Sequence, residues 1–313
     1  MARAATIERI TSEPVLAQLV RARPRWLTWN WLGVLPFFIF LAFFQLGPAL
    51  NIAVGALTDD RGHITLDNMQ KIIGDEKLQV QRNSYLNTLE ISVITTAAGG
   101  VLGFLLAWGI TLGGLPRQIR LSVLSFCGVA SNFAGLPLAL AFIAAIGRTG
   151  TLTHALASVG ISIYPAFSMS SFWGVCLAYT YFQIPLMVLV MVPPLDGLRS
   201  EWREAADNLG ASRTQFWRLV MFPILLPSLL SALALLFANA FGAYATAFAL
   251  VGAGAGESMV VSISVRAQFS NDSMTNPHLG YALAFGMILV IGLTVLIYTW
   301  SRQRAERWRR SIK

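Results

Sequence analysis

The sequence predicts an all-α, polytopic membrane protein with six transmembrane helices, and three observations predict it. Charge is scarce: Asp, Glu, Lys and Arg make up 12% of the 313 residues, about half the roughly 25% that a water-facing surface carries, whereas 55% are hydrophobic. The charges are clustered and leave six uncharged stretches, 26–58, 91–116, 121–147, 149–195, 219–256 and 273–301. Each holds the about 20 apolar residues that cross a hydrocarbon core. The net charge of +8 is also split unevenly between alternate connecting segments, as expected of a spanning protein.

Taken in order, residues 1–25 lack the apolar core of a signal peptide. The first apolar run, Trp31 to Ala56, is too long for one and lacks a convincing cleavage site, so it reads as an uncleaved anchor. Residues 13–20 suit either a short interfacial helix or a disordered basic tail. In 57–85, Leu66, Met69, Ile72 and Ile73 recur at helical spacing and predict a small surface helix. The second and third spans lie in 91–116 and 121–147. The stretch 149–195 is long enough for two spans, but Thr149 to Ser171 mixes His154, Pro165 and eight Ser or Thr with its apolar residues. That half is an extramembrane or interfacial loop, leaving one span at about 172–192. The fifth span precedes a glycine-rich flexible loop, Val251 to Glu257, and the sixth lies in 273–301. Pro137, after Gly135, and Pro185 interrupt spans three and four. Such breaks survive in a membrane only where freed backbone groups find partners or line a cavity, which predicts a passage through the bundle. The expected organisation is an N-terminal tail (1–31), a transmembrane domain (32–301) and a basic C-terminal tail (302–313).

Orientation follows from the basic residues. Placing the N-terminus in the cytoplasm puts there Arg3, Arg9, Arg21, Arg23 and Arg25, two residues of the 113–120 loop, four of the 195–219 loop and six of the C-terminal tail. The opposite side then has only Arg61, Lys71, Lys77, Arg82, Arg148 and Arg266. Both termini are therefore expected in the cytoplasm, in a bacterial inner membrane. The basic surplus is topological, and a nucleic-acid partner loses its support because the basic residues are spread over short loops with no reading element between them. Cys127 and Cys176 fall inside spans without metal or redox spacing and read as packing residues. His154 and His278 lie far from any Cys or acid at ligand spacing and read as surface residues, and no metal site is expected.

Polar groups inside the spans are candidates for a pathway. Asn132, Gln183 and Asn239 each carry a desolvation cost that an interhelical hydrogen bond or a water-filled cavity would relieve. Gly99-x-x-x-Gly103 and the Ala/Gly-rich face from Ala238 to Ala249 suit close helix packing. An ion-coupled secondary carrier would place an acid, Lys or His in mid-span, and none lies there. A membrane-embedded enzyme would need paired acids, a ligand set or an activated nucleophile, and no such cluster occurs.

The most informative segment is the loop 195–223. Ser200 is read as an N-cap with Glu201 in the first turn, and Gly210 as a left-handed C-cap. Ser212 and Gln215 then form a capping box that restarts a second helix leading into span five. On the first helix Ala205 and Ala206 make a small flat patch beside Glu204. Glu204-Ala205-Ala206, three residues, Gly210, nine residues, then Val220-Met221-Phe222-Pro223 resembles the EAA motif of ABC importer permeases, with Phe222 where the family pattern has Leu. Asn87-Thr88-Leu89 and Gly147-Arg148-Thr149-Gly150 are also similar to that family, and the likeness covers about 32–301.

The resemblance implies a type I importer permease fold in which the EAA loop is the coupling helix that docks on an ABC ATPase dimer. Glu204, Ala205, Ala206 and Gly210 would be the coupling residues. It further implies a second permease, identical or paralogous, and an extracytoplasmic binding protein that docks on the loops 57–85, 147–171 and 251–280. This chain has no Gly-x-x-x-x-Gly-Lys-Ser/Thr loop, so it carries no cofactor, and ATP with Mg belongs to the separate ATPase chain. Within the family, Phe237 to Thr246, Asn276-Pro277 and Leu279 to Ala282 look most like the spermidine/putrescine, ferric iron and sulfate group. A polyamine-like cargo would meet aromatic faces at Tyr179, Tyr181 or Tyr244 by cation-π attraction. Glu90 is the one acid in the spans, and aminophosphonate, ferric iron, sulfate and thiamine remain alternative cargoes.

Overall fold

A computed structural model describes residues 30–59, 61–74, 78–164, 166–255, 260–270 and 277–310. The helix expected at 13–20 lies outside them, as does most of the N-terminal tail. Among the described residues the regular elements are helices, and six are long and apolar enough to span: Gly33–Ala56, Gln79–Leu112, Leu136–Ser158, Phe172–Asp196, Arg213–Gly242 and His278–Trp300.

The chain divides into two compact units at Ile52. The first comprises α1 (Asn30–Leu41), a π-helical turn (Ala42–Leu46) and the start of α2 (Gly47–Ala56). Phe37, Phe38, Phe40, Phe43 and Phe44 are all exposed, and a helix that is apolar on every side belongs in lipid. The π turn, closed by Gly47 N–H donating to Ala42 O, directly precedes Pro48, which has no N–H to continue the ladder.

The second unit begins with the expected surface helix, α3 (Asp67–Gly74), whose Ile72 is buried with Ala56, Ala282 and Leu283. Its centre is the pair α4 (Gln79–Leu112) and α8 (Phe172–Asp196). A Cβ on Gly103 would stand 2.6 Å from Ile184 O, and one on Gly99 would collide with the Gln183 Cβ, so the Gly99-x-x-x-Gly103 face brings the two backbones together. Gly100 turns to the other side, where a Cβ would stand 2.7 Å from Leu233 Cδ2 of α11 (Phe222–Gly242). Two core clusters lie along α8, one around Tyr179 and Phe182, the other around Met187, Met191 and Leu195. Gln183 stands between them.

The stretch 121–147 departs from the single helix expected there. It is two helices, α5 (Arg117–Asn132) and α6 (Leu136–Ile146), parted at Phe133–Gly135, and the apolar length that begins with α6 runs on to Ser158. Gly135 adopts φ 75°, a left-handed conformation open to glycine, and Pro137 sits in the first turn of α6, where its missing N–H costs nothing. The loop expected over 149–171 contains a further short helix, α7 (Thr151–Ser158), held by Thr153 Oγ1 donating to Gly147 O at 2.9 Å.

The remaining elements are α9 (Ser200–Asn208), α10 (Arg213–Phe216), α12 (Ala245–Ala255), α13 (Val261–Ser270) and α14 (Pro277–Arg310). A π turn, Trp217–Met221, joins α10 to α11, with Phe222 N–H donating to Trp217 O just before Pro223, for the reason given at Pro48. The glycine-rich segment expected as a loop from Val251 is helical to Ala255 with a kink at Gly252, and 256–259 lie outside the described residues. The expected C-terminal tail continues α14 as far as Arg310. His278, expected at the surface, is half-buried and donates from Nδ1 to Gly55 O at 2.9 Å, because α14 packs against α3 and the end of α2. His154 is exposed, and Cys127 and Cys176 are buried in separate clusters.

The glycine contact gives a direct test. Gly103→Val should destabilise the protein by about 1–3 kcal/mol through overpacking, seen as a lower midpoint in detergent thermal unfolding. Gly109→Ala on the same helix, where a Cβ meets nothing within 4 Å, should leave the midpoint unchanged or raise it.

Candidate functional site

The loop between α8 and α11 is built from local rules. The helix α9 ends in a Schellman motif: Gly210 has φ 72°, its N–H donates to Asp207 O at 3.0 Å, and Ala211 N–H donates to Ala206 O at 3.0 Å. The next helix opens with the capping box, Ser212 N–H donating to Gln215 Oε1 at 2.7 Å and Gln215 N–H to Ser212 Oγ at 3.3 Å. Two terminators two residues apart fix the angle between α9 and the start of span five. The N-cap differs from expectation: the helix starts one residue earlier, so Arg199 occupies the cap position and Ser200 lies inside the first turn.

That geometry sorts the coupling residues. Glu201, Glu204, Ala205 and Asn208 recur at helical spacing and are exposed, whereas Trp202 and Ala206 are half-buried on the opposite side. Beside them Leu209, which the sequence reading passed over, is 86% exposed. The result is an open face of acid, small residue and one unpartnered leucine. The loop is fastened to the bundle at both ends. Arg120 of α5 pairs with Asp196 at the end of α8, and Trp217 packs its ring 4.4 Å from Trp108 of α4. The ion pair is partly exposed and contributes little; the tryptophan contact and the buried Phe216 carry more of the fastening.

Deeper in the bundle, the break in span three meets the break after α11; Pro185, expected to interrupt span four, lies inside the unbroken α8. Gly135 N–H, freed by the break between α5 and α6, donates to Thr246 Oγ1 at 2.7 Å in the first turn of α12. Ala243 O, at the break between α11 and α12, accepts from Tyr179 OH at 3.1 Å and Ser262 Oγ at 3.0 Å. The freed backbone groups thus find partners on neighbouring helices, as hydrocarbon demands. A third seam runs up α4: Ser84, Thr88, Ser92 and Thr95 are buried on one face, and Thr88 Oγ1 accepts from Val261 N–H at 2.8 Å where α13 begins. These hydroxyls escaped a reading based on charge, although their spacing of four, four and three residues was legible.

The pathway candidates separate by environment. Tyr179 and Gln183 are wholly buried. Tyr179 binds Ala243, and Gln183 Nε2 donates to Leu236 O at 3.0 Å. Both therefore tie helices together within this chain, and the Gln183 Oε1 is buried without a hydrogen-bond partner among the described residues. Tyr181 is half-buried, edge-on to Phe142 at 5.7 Å. Tyr244 stacks on Phe248 at 5.4 Å, and the Arg266 guanidinium lies 4.4 Å over the Phe248 ring. Asn132, the last residue of α5, and Asn239, three residues before the end of α11, are exposed on open faces, as is Glu90 on α4.

At one end of the bundle a cavity of about 800 Å³ opens between the end of α6, the loop after α7 and α12, lined by Arg148, Tyr164, Ser168 and Ser170 among others. No acid lines it.

The sequence matches the family model described as binding-protein-dependent transport system inner membrane component over residues 99–310. It is similar to the sulfate transport system permease protein CysT of Salmonella typhimurium, 29% identical over 224 residues, covering 70% of this chain and 78% of that one. It is also similar to the spermidine/putrescine transport system permease protein PotB of Escherichia coli K12, 26% identical over 240 residues, covering 77% and 83%. In fold it resembles a chain of a bacterial ABC transporter involved in the import of the acidic polysaccharide alginate, with a TM-score of 0.66, 16% identity and coverage of 89% and 95%.

The bond between the breaks is testable. Thr246→Val leaves the Gly135 N–H without its acceptor and should lower stability by about 1–3 kcal/mol, while Thr246→Ser should restore most of the loss, read as unfolding midpoints.

Proposed function

Because the chain belongs to the family of binding-protein-dependent transport system inner membrane components, we propose that it is the permease subunit of an ATP-driven importer that takes a small solute from an extracytoplasmic binding protein and releases it to the cytoplasm by alternating access. Membership accounts for the six apolar helices. The observation that carries the mechanism is the α9 turn, whose Schellman motif and capping box hold Glu204, Ala205 and Leu209 outward on a rigid loop.

In this reading both termini and the 195–223 loop are cytoplasmic, and α9 docks in a cleft on an ATPase dimer that holds ATP and Mg. The carboxylate of Glu204 meets a basic group there, Ala205 permits close approach, and Leu209 fills an apolar pocket. Closure of the ATPases on ATP moves α9. The loop transmits the movement to α4 through Trp108, to α5 through Arg120 and to α11 through the Trp217–Met221 turn. Loops 57–85, 147–171 and 251–280 receive the loaded binding protein, and a second permease completes the pathway along the open faces that carry Asn132 and Asn239.

Glu204→Lys should reverse the charge at the contact, and Gly210→Pro cannot adopt φ 72°. Each should abolish substrate-stimulated ATPase activity of the assembled complex while the permease still inserts, and Leu209→Asp should reduce it about tenfold or more. Transport at the unaltered rate by Glu204→Lys or Gly210→Pro would remove the coupling assignment.

For the cargo, a polyamine-like cation is supported by the likeness to PotB and by Glu90 on an open face of α4. A second reading, a tetrahedral oxyanion, is favoured by the acid-free cavity around Arg148 and by the likeness to CysT. Thermal stabilisation of the cognate binding protein separates them. Spermidine or putrescine should raise its midpoint if the first holds, and sulfate if the second does.

A further inference from the structure

A second cavity, of about 430 Å³, lies at the other end of the bundle, between α9, the start of the fifth span and the end of α4. Its lining includes Trp108, Trp217, Arg199, Arg203, Arg213 and Asp207. Three guanidinium groups face one carboxylate, and Asp207 is engaged by Arg203 at 3.8 Å. Among the described residues, Arg199 and Arg213 have no acid within ion-pair distance. The cavity is thus built with surplus positive charge, and guanidinium forks match phosphate oxygens.

What surrounds the opening decides between a dissolved anion and a lipid. The tryptophan pair belongs at the level of a membrane interface. Leu112 and Leu198 add apolar side chains to the lining, and Leu112 is 43% exposed. A dissolved phosphate gains nothing from those side chains, whereas a phospholipid lays its acyl chains along them while its phosphate enters the cavity. Basic pockets between spanning helices on the cytoplasmic side bind such headgroups.

We propose that this cavity binds the glycerophosphate headgroup of one anionic phospholipid of the cytoplasmic leaflet, held by Arg199, Arg203 and Arg213 and bedded on Trp108 and Trp217. The bound lipid ties α9 to the start of span five and to α4. Its leaflet and its effect on coupling rest on the orientation and the reading of α9 given above, but retention of the lipid does not.

The test uses the full chain in phosphatidylcholine nanodiscs titrated with phosphatidylglycerol, with lipids retained per chain counted by native mass spectrometry. The unaltered chain should retain phosphatidylglycerol over phosphatidylcholine. Each basic residue at an anionic surface contributes about a factor of five, so Arg199→Gln with Arg213→Gln should weaken retention roughly 25-fold. Arg117→Gln with Arg218→Gln removes exposed arginines near the same end but outside the cavity lining, and should leave retention unchanged. Equal retention by the cavity variant, or an equal loss in the control, overturns the site. Displacement of the lipid by dissolved glycerol phosphate at matched concentration overturns the lipid in favour of a free anion. Failure of the cavity variant to bind the ATPase in pure phosphatidylcholine, with phosphatidylglycerol still retained, would assign the arginines to the protein interface instead. If Glu204→Lys loses coupling yet retains the lipid, binding stands apart from coupling; lipid retention that needs Glu204 would overturn the site.

Discussion

The close approach of the second and fourth spans is the constraint on which the rest of this structure depends. In lipid there is little hydrophobic gain from bringing two apolar helices together, so association rests on packing and on hydrogen bonds. Gly99 and Gly103 remove the side chains that would hold α4 and α8 apart. The contact also places Gln183 against Gly99, from where its amide reaches Leu236 O of α11. An interhelical bond of this kind averages about 0.6 kcal/mol in a membrane protein, too little to assemble three helices. The glycine packing assembles them, and the glutamine sets register. With α11 so placed, Gly100 accommodates Leu233 and the break at Ala243 comes within reach of Tyr179 on α8.

From that centre the two ends of the bundle acquire different chemistry. One end carries the breaks, a seam of hydroxyl groups and the cavity around Arg148, where backbone polar groups are satisfied by Thr88, Thr246 and Ser262. The other end is charged and aromatic. There α9 is held at a set angle by two successive terminators, and its contacts to α4 and α5 run through Trp217 and the Asp196 pair. In the proposed mechanism those contacts carry the movement of α9 to α4 and α5.

Much of this was legible in the residues. The uncharged stretches mark the spans because charge in hydrocarbon is costly at any depth from the surface. The turn at Gly210 and the capping box at Ser212 were legible because such motifs are local, made by residues within five positions of one another. The break near Gly135 and Pro137 was legible too, but not that it parts the span into two helices. A proline two residues after a glycine is compatible with a kinked helix as well as with a full interruption. What decides is the acceptor Thr246, more than a hundred positions away. For Gln183 and Tyr179 the partner is likewise distant in sequence: a polar side chain in a span announces a need for a partner but not whether water, solute or a carbonyl meets it.

The sequence by itself determined that the chain lives in a membrane, how many apolar helices it has to cross with, and where two short capped helices lie between the fourth and fifth spans. Each of those follows from composition or from short-range geometry. Only the tertiary structure decided which polar groups hold helices together and which stand on open faces, and that Leu209 projects beside Glu204. It alone gathered Arg199, Arg203 and Arg213 around one cavity with Trp108 and Trp217. The helix-tying bonds and the Trp108–Trp217 contact join residues far apart in the chain, and the packing of α4 on α8 helps bring them into range.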